Sequence, residues 1–138
     1  CCLVMEMLQR LEPAKRNKTV YIVSSDTMVE NPIVQRYMHR MSKMINDTGA
    51  ELKVRADIIY PEVSDTFWSR VIGFGYPTPE APGFRWCTER LKIHPMNKYT
   101  LETIKNNGEV VLLLGVRKAE STYRANNIRA REIERNVD

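Results

Sequence analysis

The sequence predicts an α/β fold, a Rossmann-like sheet of short parallel strands with helices on both faces. Two apolar runs that are rich in β-branched residues, Thr19–Val23 and Val110–Leu114, have the length of buried strands. Stripes of apolar residues with helical spacing lie between the predicted strands. The 138 residues suit one ordinary domain, so we expect a single, partial domain over residues 1–138 with right-handed crossovers.

The N-terminal part of the chain predicts a helix followed by a strand. Apolar residues recur every three or four positions over Leu3–Leu11, which predicts a helix buried on one side, and Pro13 ends it. Thr19–Val23 predicts a buried strand, and Ser24–Thr27 predicts a polar loop at the carboxyl end of that strand. In sheets of this kind, ligands bind at the carboxyl ends of the strands.

A long helix and a second strand are predicted next. Asn31–Asp47 predicts a helix with Pro32 in its first turn and Gly49 at its end. Leu52–Ile59 predicts the strand that brings the chain back to the sheet. The predicted apolar face of the helix consists of Ile33, Tyr37, Met41, Met44 and Ile45.

The second half of the chain predicts a long loop, a helix and a third strand. Residues 60–87 contain four of the seven prolines and three glycines, which predicts a structured loop with a short helix over Asp65–Ile72. Pro95–Asn106 predicts a helix. Glu109–Leu114 is the clearest predicted strand of the chain, and the loop Gly115–Ser121 follows it.

Composition excludes several classes of protein. Hydrophobic residues make up 43% and charged residues 28%, which is typical of a globular chain and not of a disordered one. Three cysteines are too few for a disulfide scaffold and indicate a reducing, cytoplasmic compartment. Val110–Leu114, the longest apolar run, is too short to span a bilayer, so we expect no membrane. The sequence starts at Cys1 and not at a methionine, and its first residues lack the basic segment and cleavage site of a signal peptide. We therefore expect a fragment whose beginning is missing.

Basic side chains are concentrated in the last third of the chain. The net charge is +4, and Arg85–Arg131 alone contains ten Lys and Arg against four Asp and Glu. Several cations beside strand-end loops would suit a phosphate or sulfate group, and a solvated basic surface is the alternative. These cations include Arg90, Lys92, Arg117, Lys118 and Arg124.

Three segments resemble the family of phosphoadenosine-phosphosulfate (PAPS) reductases and adenine nucleotide α-hydrolases. Val23–Pro32, VSSDTMVENP, is similar to the acidic motif at a strand end in that family. Phe84–Pro95, FRWCTERLKIHP, is similar to its Cys-x-x-Arg segment, and Leu112–Arg124, LLLGVRKAESTYR, to its Gly-hydrophobic-Arg-Arg-x-x-Ser-x-x-Arg segment. With DTFW at 65–68 and GYPTP at 75–79, the sequence most resembles DndC-type DNA phosphorothioation proteins, and the SspD type is a near second.

The resemblance implies ATP pyrophosphatase-type chemistry, in which an oxygen is adenylated by ATP with Mg²⁺ and then replaced by sulfur. The implied acceptor is a DNA backbone phosphate, and the implied partners are a cysteine desulfurase and the other phosphorothioation proteins. An iron–sulfur cluster on family cysteines is also implied. The family places a Ser-Gly-Gly-x-Asp-Ser pyrophosphate loop just before its first helix, so we expect that loop and its strand upstream of Cys1.

The candidate catalytic residues are Cys87 and Arg117. Basic neighbours favour the thiolate of Cys87, which could ligate iron or carry sulfur, and a buried core thiol is the alternative. Asp26 at the expected ligand edge could bind a ribose, a water or Mg²⁺, and a turn-forming aspartate is the alternative. The candidate nucleotide- and phosphate-binding residues are Asp26, Thr27, Arg90, Lys92, Gly115, Ser121 and Arg124.

The resemblance therefore implies an ATP-dependent sulfurtransferase that acts on DNA, and we expect the isolated fragment itself to be inactive. PAPS reductases have paired cysteines in this segment, whereas this chain has the single Cys87 after Trp86. The difference favours the phosphorothioation branch. A PAPS-type sulfonucleotide reductase and a non-catalytic nucleotide- or DNA-binding module are the alternatives. His39 is predicted to be a surface or boundary residue, and it has no metal-ligand spacing to His94 or Cys87.

Overall fold

The computed structural model describes residues 17–49, 53–78 and 86–113, together with positions 6, 10, 119, 122, 125, 126 and 128–130. The chain divides into two compact units. One comprises Leu8–Val110, and the other comprises Cys1–Met7 with Val111–Asp138. The strands, helices and side-chain clusters discussed below belong to the first unit. A single domain over the whole chain stays a prediction.

Two parallel strands form a sheet within the described part of the chain. Strand β1 is Val20–Ser25 and strand β2 is Val54–Ile59, with Val20 opposite Val54 and Ser25 opposite Ile59. The N–H of Asp26 donates to the Ile59 carbonyl at 2.9 Å, so the ladder continues one residue beyond β1. Both strands predicted in the first half of the chain are therefore confirmed, as is their parallel pairing. Two details are wrong: β1 is half-buried rather than buried, and it includes Ser24 and Ser25, which were predicted to begin the loop.

Helix α1, Pro32–Gly49, connects the two strands as predicted. Proline suits the first turn because its missing N–H would have no partner within the helix. Gly49 is buried at the end of α1, where an added Cβ would overlap the Val54 carbonyl oxygen. The glycine therefore allows the end of α1 to lie directly against the start of β2.

The predicted apolar face of α1 is correct only in part. Met41 and Ile45 are half-buried, but Ile33, Tyr37 and Met44 are 69%, 63% and 50% exposed. The side of the helix that is half-buried is more polar than the hydrophobic pattern predicts, and it comprises Gln35, Met38, Met41, Ser42 and Ile45.

The backbone of β2 explains why polar side chains occupy this side of α1. Hydrogen bonds from β1 reach the carbonyls of Lys53 and Ile59, so the backbone groups of Ala56 face the opposite edge of β2. There Asn46 accepts from the Ala56 N–H at 2.8 Å and donates to its carbonyl at 2.8 Å. Ser42 also donates to that carbonyl, at 3.2 Å. Buried backbone groups require such partners, and side chains of α1 supply them in place of a neighbouring strand.

The long loop after β2 contains two short helical turns. A 3₁₀ turn at Val63–Asp65 and a π-helical turn at Ser69–Gly73 occupy the place of the predicted short helix. Their close spacing brings Asp65 and Arg70 together across one turn.

A continuous helical segment ends the first unit. It consists of a short turn, Trp86–Thr88, a π-helical turn, Glu89–Ile93, and helix α2, His94–Asn107. Pro95 lies in the first turn of α2 as predicted, and Gly108, with a φ of 83°, ends the helix. A positive φ favours glycine at this position because a Cβ would be strained there.

The predicted strand Glu109–Leu114 is wrong over the five residues that the structure describes. Residues 109–113 form no strand, and Val111 and Leu113 are 78% and 52% exposed. An apolar run becomes a strand only where a neighbouring strand accepts its backbone hydrogen bonds. β1 and β2 pair with each other and not with these residues. Leu114 lies outside the described residues.

The predicted N-terminal helix lies mostly outside the described residues. Glu6 and Arg10, the two positions of this segment that the structure describes, are helical. In the part of the chain that the structure describes, no helix is both long enough and apolar enough to cross a bilayer.

Candidate functional site

A buried acidic turn follows β1 at the edge where ligands bind in parallel sheets. The side chains of Asp26 and Thr27 are buried, and Asp26 is fully inaccessible to solvent. Asp26 Oδ1 accepts the Met28 N–H at 2.8 Å, which forms an Asx turn. Met28 has a φ of 62°, which is uncommon outside glycine, so this hydrogen bond holds the backbone in a restricted conformation.

Two side chains of α1 reach the same carboxylate. Gln35 donates to Asp26 Oδ2 at 2.9 Å, and His39 Nε2 lies 3.6 Å from that oxygen. Burial by itself raises the pKa of Asp26, but the hydrogen bonds from Gln35 and the Met28 N–H, together with His39, outweigh burial and lower it. Asp26 is therefore a buried carboxylate that fixes the loop after β1 to the first turns of α1.

This arrangement fits a turn-forming aspartate better than a metal ligand. Both oxygens of Asp26 already accept hydrogen bonds, and its side chain has no accessible surface. A Mg²⁺ ion coordinated directly by Asp26 does not fit, because the carboxylate would first have to leave these donors. Contact between Asp26 or Thr27 and a nucleotide stays a prediction, and Thr27 Oγ1 donates to Glu30 at 3.0 Å.

Gln35 and His39 are residues that the sequence interpretation missed. They are four positions apart on α1, so they lie on the same face of the helix. The sequence signal for them is a polar pair at positions i and i+4 of the helix that follows the strand-end Asp26. The apolar pattern of α1 favours a different face, while the prediction that His39 is a surface or boundary residue is confirmed, since its side chain is 47% exposed.

The helical segment with Cys87 and Arg90 is anchored to the end of β1. Ser25 Oγ, in the last residue of β1, donates to the Leu91 carbonyl at 2.9 Å. Leu91 is buried, with 3% of its surface exposed. Cys87 lies about one helical turn before Leu91 and carries a free, half-buried thiol. The structure therefore brings two predicted regions together: the loop of Asp26 and the Cys-x-x-Arg segment.

Arg90 is held by an acidic partner in the loop after β2. Its Nη1 donates to Asp65 Oδ1 at 2.9 Å, and its guanidinium lies 5.7 Å from the centre of the Tyr76 ring. Arg70 also donates to Asp65 Oδ1, through Nε at 3.0 Å and through Nη2. Burial raises the pKa of Asp65, but the two guanidinium groups outweigh that effect and lower it. Asp65 and Arg70 were not predicted as site residues, although Asp65 opens the DTFW segment.

A cluster of aromatic rings packs beside this pair of arginines. Trp86 is buried, donates from Nε1 to the Pro77 carbonyl at 2.9 Å, and stacks on Phe67 at 5.6 Å between ring centroids. The Tyr76 ring meets Trp86 edge-on at 5.5 Å. Trp86 therefore anchors the loop, and because it is buried it does not offer a face for stacking a base.

A cleft of about 510 Å³ opens at the carboxyl end of β2. Its walls combine apolar surface with charged groups of both signs. Tyr99 Oη donates to Asp57 Oδ2 at 2.5 Å, which joins α2 to β2, and burial raises the pKa of Tyr99. Residues that line the cleft include Ile59, Tyr60, Asp65, Arg90, Lys98 and Tyr99.

The remaining predicted site residues differ in what the structure says of them. Lys92 is exposed on the π-helical turn beside Arg90. Gly115, Arg117, Ser121 and Arg124 lie outside the described residues.

The donor set for an iron–sulfur cluster is incomplete in the described part of the chain. Four cysteine thiolates are the usual ligands, and Cys87 is the one that the structure describes. Cys1 and Cys2 lie outside the described residues. Within the described ranges, no three His, Cys, Asp or Glu side chains are grouped as metal ligands. The described residues do not by themselves fit a cluster.

Comparison with known proteins gives one limited similarity. An uncharacterized protein of Methanocaldococcus jannaschii is 36% identical over 61 residues, which are 44% of this chain. The match spans about 12% of that archaeal protein. No protein-family model matches the chain. No solved structure matches it either.

Proposed function

We propose that this chain is the nucleotide-site region of an ATP-dependent sulfurtransferase that modifies DNA backbone phosphates, as DndC-type proteins do. In this proposal, ATP adenylates a phosphate oxygen with release of pyrophosphate. The terminal sulfur of a Cys87 persulfide then attacks the phosphorus and AMP leaves, which joins the phosphorothioate to Cys87 through an S–S bond. A second thiol reduces that bond, so that the phosphate keeps the sulfur and Cys87 returns to the thiol. The sulfur comes from a cysteine desulfurase.

The observation that carries the proposal is the contact between two sequence motifs distant in the chain. The Ser25–Leu91 hydrogen bond holds the Cys87 and Arg90 segment against the loop of Asp26, at the carboxyl end of a parallel strand. That edge is where α/β sheets bind nucleotides. A thiol and a guanidinium three positions apart on the segment that this hydrogen bond anchors suit sulfur transfer to a phosphate, because arginine stabilises the charge that develops on phosphate oxygens.

Each described residue has a defined part in this proposal. Arg90 contacts the phosphate that is activated, and Cys87 presents the sulfur one turn away. Asp26 keeps the loop after β1 in place through Gln35 and Met28 and does not contact Mg²⁺. Mg²⁺ would enter with the phosphates of ATP and neutralise part of their charge. Arg117 lies outside the described residues, and a phosphate contact from it stays a prediction from the sequence.

DNA sulfur content tests the proposal. The intact gene product is expressed with a cysteine desulfurase, and nuclease-digested DNA is analysed by mass spectrometry for phosphorothioate-linked dinucleotides. We expect them with the wild type and expect their loss in Cys87→Ser. The matched control is Thr88→Ser, a neighbouring change that leaves the thiol in place. Sulfite release from PAPS without DNA sulfur would indicate a sulfonucleotide reductase, and ATP binding without turnover would indicate a binding module.

A further inference from the structure

Asp65 stands out among the acidic residues because two arginines share one of its oxygens. Arg70 and Arg90 both donate to Oδ1, and the side chains of all three are mostly buried, with Arg90 29% exposed. One carboxylate and two guanidinium groups leave an excess of one positive charge. Arg90 and Asp65 line the cleft at the end of β2 among other charged residues of both signs, so the Arg90 guanidinium itself is the donor that this cluster offers to a ligand there.

The position of Arg90 depends on this shared carboxylate. Its other nearby polar group is Tyr76 Oη, which is 3.5 Å from Nη2, at the limit of a hydrogen bond. Arg70 lies 4.6 Å from the Phe74 ring centre and 5.4 Å from that of Tyr76, so aromatic rings hold Arg70 where it donates to Asp65. The chain of contacts runs from aromatic rings through Arg70 and Asp65 to the guanidinium that faces the cleft.

We infer that Asp65 is a positioning residue that holds the guanidinium of Arg90 toward the phosphate of the substrate. The inference rests on the proposed function, because it assigns Arg90 to a phosphate. A guanidinium with fixed orientation can donate two parallel hydrogen bonds to a phosphate, and a mobile one loses that geometry. Asp65 therefore acts through Arg90 and does not touch the substrate, which its own negative charge would repel.

The sign of the effect separates this role from simple charge balance. If Asp65 only lowered the local positive charge, Asp65→Asn would tighten ATP binding and leave turnover intact. If Asp65 positions Arg90, turnover falls although the site becomes more positive. We expect kcat to fall about tenfold or more in Asp65→Asn, the range of a lost hydrogen bond to a charged group. We expect a smaller fall in Asp65→Glu, which keeps the carboxylate at a longer reach.

A double-mutant cycle tests the inference in the intact gene product. ATP turnover and KM are measured for wild type, Asp65→Asn, Arg90→Lys and the double variant, with melting temperatures as a check of folding. Lysine cannot replace the forked donors of arginine, so Arg90→Lys also loses about tenfold or more. We expect the double variant to be no slower than Arg90→Lys, because Asp65 has nothing left to position. Glu109→Gln removes an exposed carboxylate from its ion pair with Lys18 and is the control.

The outcomes distinguish the inference from the proposed function. An unchanged kcat in Asp65→Asn, with KM unchanged or lower, overturns the inference. A loss of kcat in the double variant that equals the product of the two single losses also overturns it. A loss in Asp65→Asn that follows its melting temperature and is not reproduced by Asp65→Glu also overturns it, because the role would be structural. Unchanged turnover in Arg90→Lys overturns the assignment of Arg90 in the proposed function itself.

Discussion

Truncation of Asp26 to alanine is expected to destabilise the fold more than the loss of any exposed carboxylate. Asp26 is fully buried and accepts hydrogen bonds from Gln35 at 2.9 Å and the Met28 N–H at 2.8 Å. A hydrogen bond to a charged group contributes about 1.5–3 kcal/mol, so Asp26→Ala should cost about 3–5 kcal/mol at pH 7. Asp26→Asn keeps an acceptor for Met28, and Gln35 can turn its amide toward the new one, so we expect a cost of about 1–2 kcal/mol.

The contribution of Asp26 should also depend on pH in a defined direction. Because the pKa of Asp26 in the fold lies below its ordinary value of 3.8, the unfolded chain takes up the proton first as pH falls. The stabilisation is complete above pH 3.8 and is lost as the pH falls through the pKa of the folded state. Asp26→Asn lacks this carboxylate, so the difference in unfolding free energy between wild type and Asp26→Asn should shrink below pH 3.8.

Urea unfolding followed by circular dichroism measures these differences at pH 7 and at pH 3. Asp47→Asn is the control, because Asp47 is an exposed carboxylate on the same helix, and its change should stay within about 0.5 kcal/mol. A cost below about 1 kcal/mol for Asp26→Ala would refute the reasoning, since two lost charge-assisted hydrogen bonds exceed that value. A difference between wild type and Asp26→Asn that is the same at both pH values would refute the linkage.

Two further predictions concern single side chains. Burial and Asp57 raise the pKa of Tyr99 above its ordinary 10.0, so above pH 10.0 the unfolded chain ionises first and stability is lost until the pKa of the folded state is passed. In that window the unfolding free energy of wild type should fall about 1.4 kcal/mol per pH unit more steeply than that of Tyr99→Phe, and parallel curves would contradict the prediction. Cys87→Ser should keep its melting temperature within a few degrees while losing sulfur transfer. A destabilised variant with full activity per folded molecule would instead identify Cys87 as a packed core thiol.

The helix and strands of the first unit could be predicted because their sequence patterns depend only on neighbouring residues in the chain. The β-branched run Thr19–Val23 predicts β1, Leu52–Ile59 predicts β2, and Pro32 and Gly49 mark the ends of α1. The third strand failed because strand formation depends on a neighbour, which periodicity does not report. Residues 109–113 carry the pattern of a strand, yet they lie outside the sheet.

The candidate site shows the same division between local and distant information. Asp26 and Arg90 were predicted from their places after a strand and in a basic segment. Their partners were not, because Gln35 reaches Asp26 across a loop and Asp65 is 25 positions from Arg90. The Asp65–Arg90 pair depends on how the turns after β2 fold back, and no spacing rule relates these two residues. The polar side of α1 was not predicted for a related reason. Asn46 is needed to bind the backbone of β2, and a hydrophobic pattern gives no information about backbone hydrogen-bond partners.

The nucleotide products formed by the intact protein test the central claim most directly. ATP labelled at the α-phosphate is incubated with the gene product, Mg²⁺, DNA and a cysteine desulfurase with cysteine, and the labelled and unlabelled products are separated. Activation by adenylation predicts AMP and pyrophosphate, formed in equal amounts, with the yield reduced in Arg90→Lys. Release of ADP and inorganic phosphate, or no consumption of ATP under conditions where DNA acquires sulfur, would contradict the account.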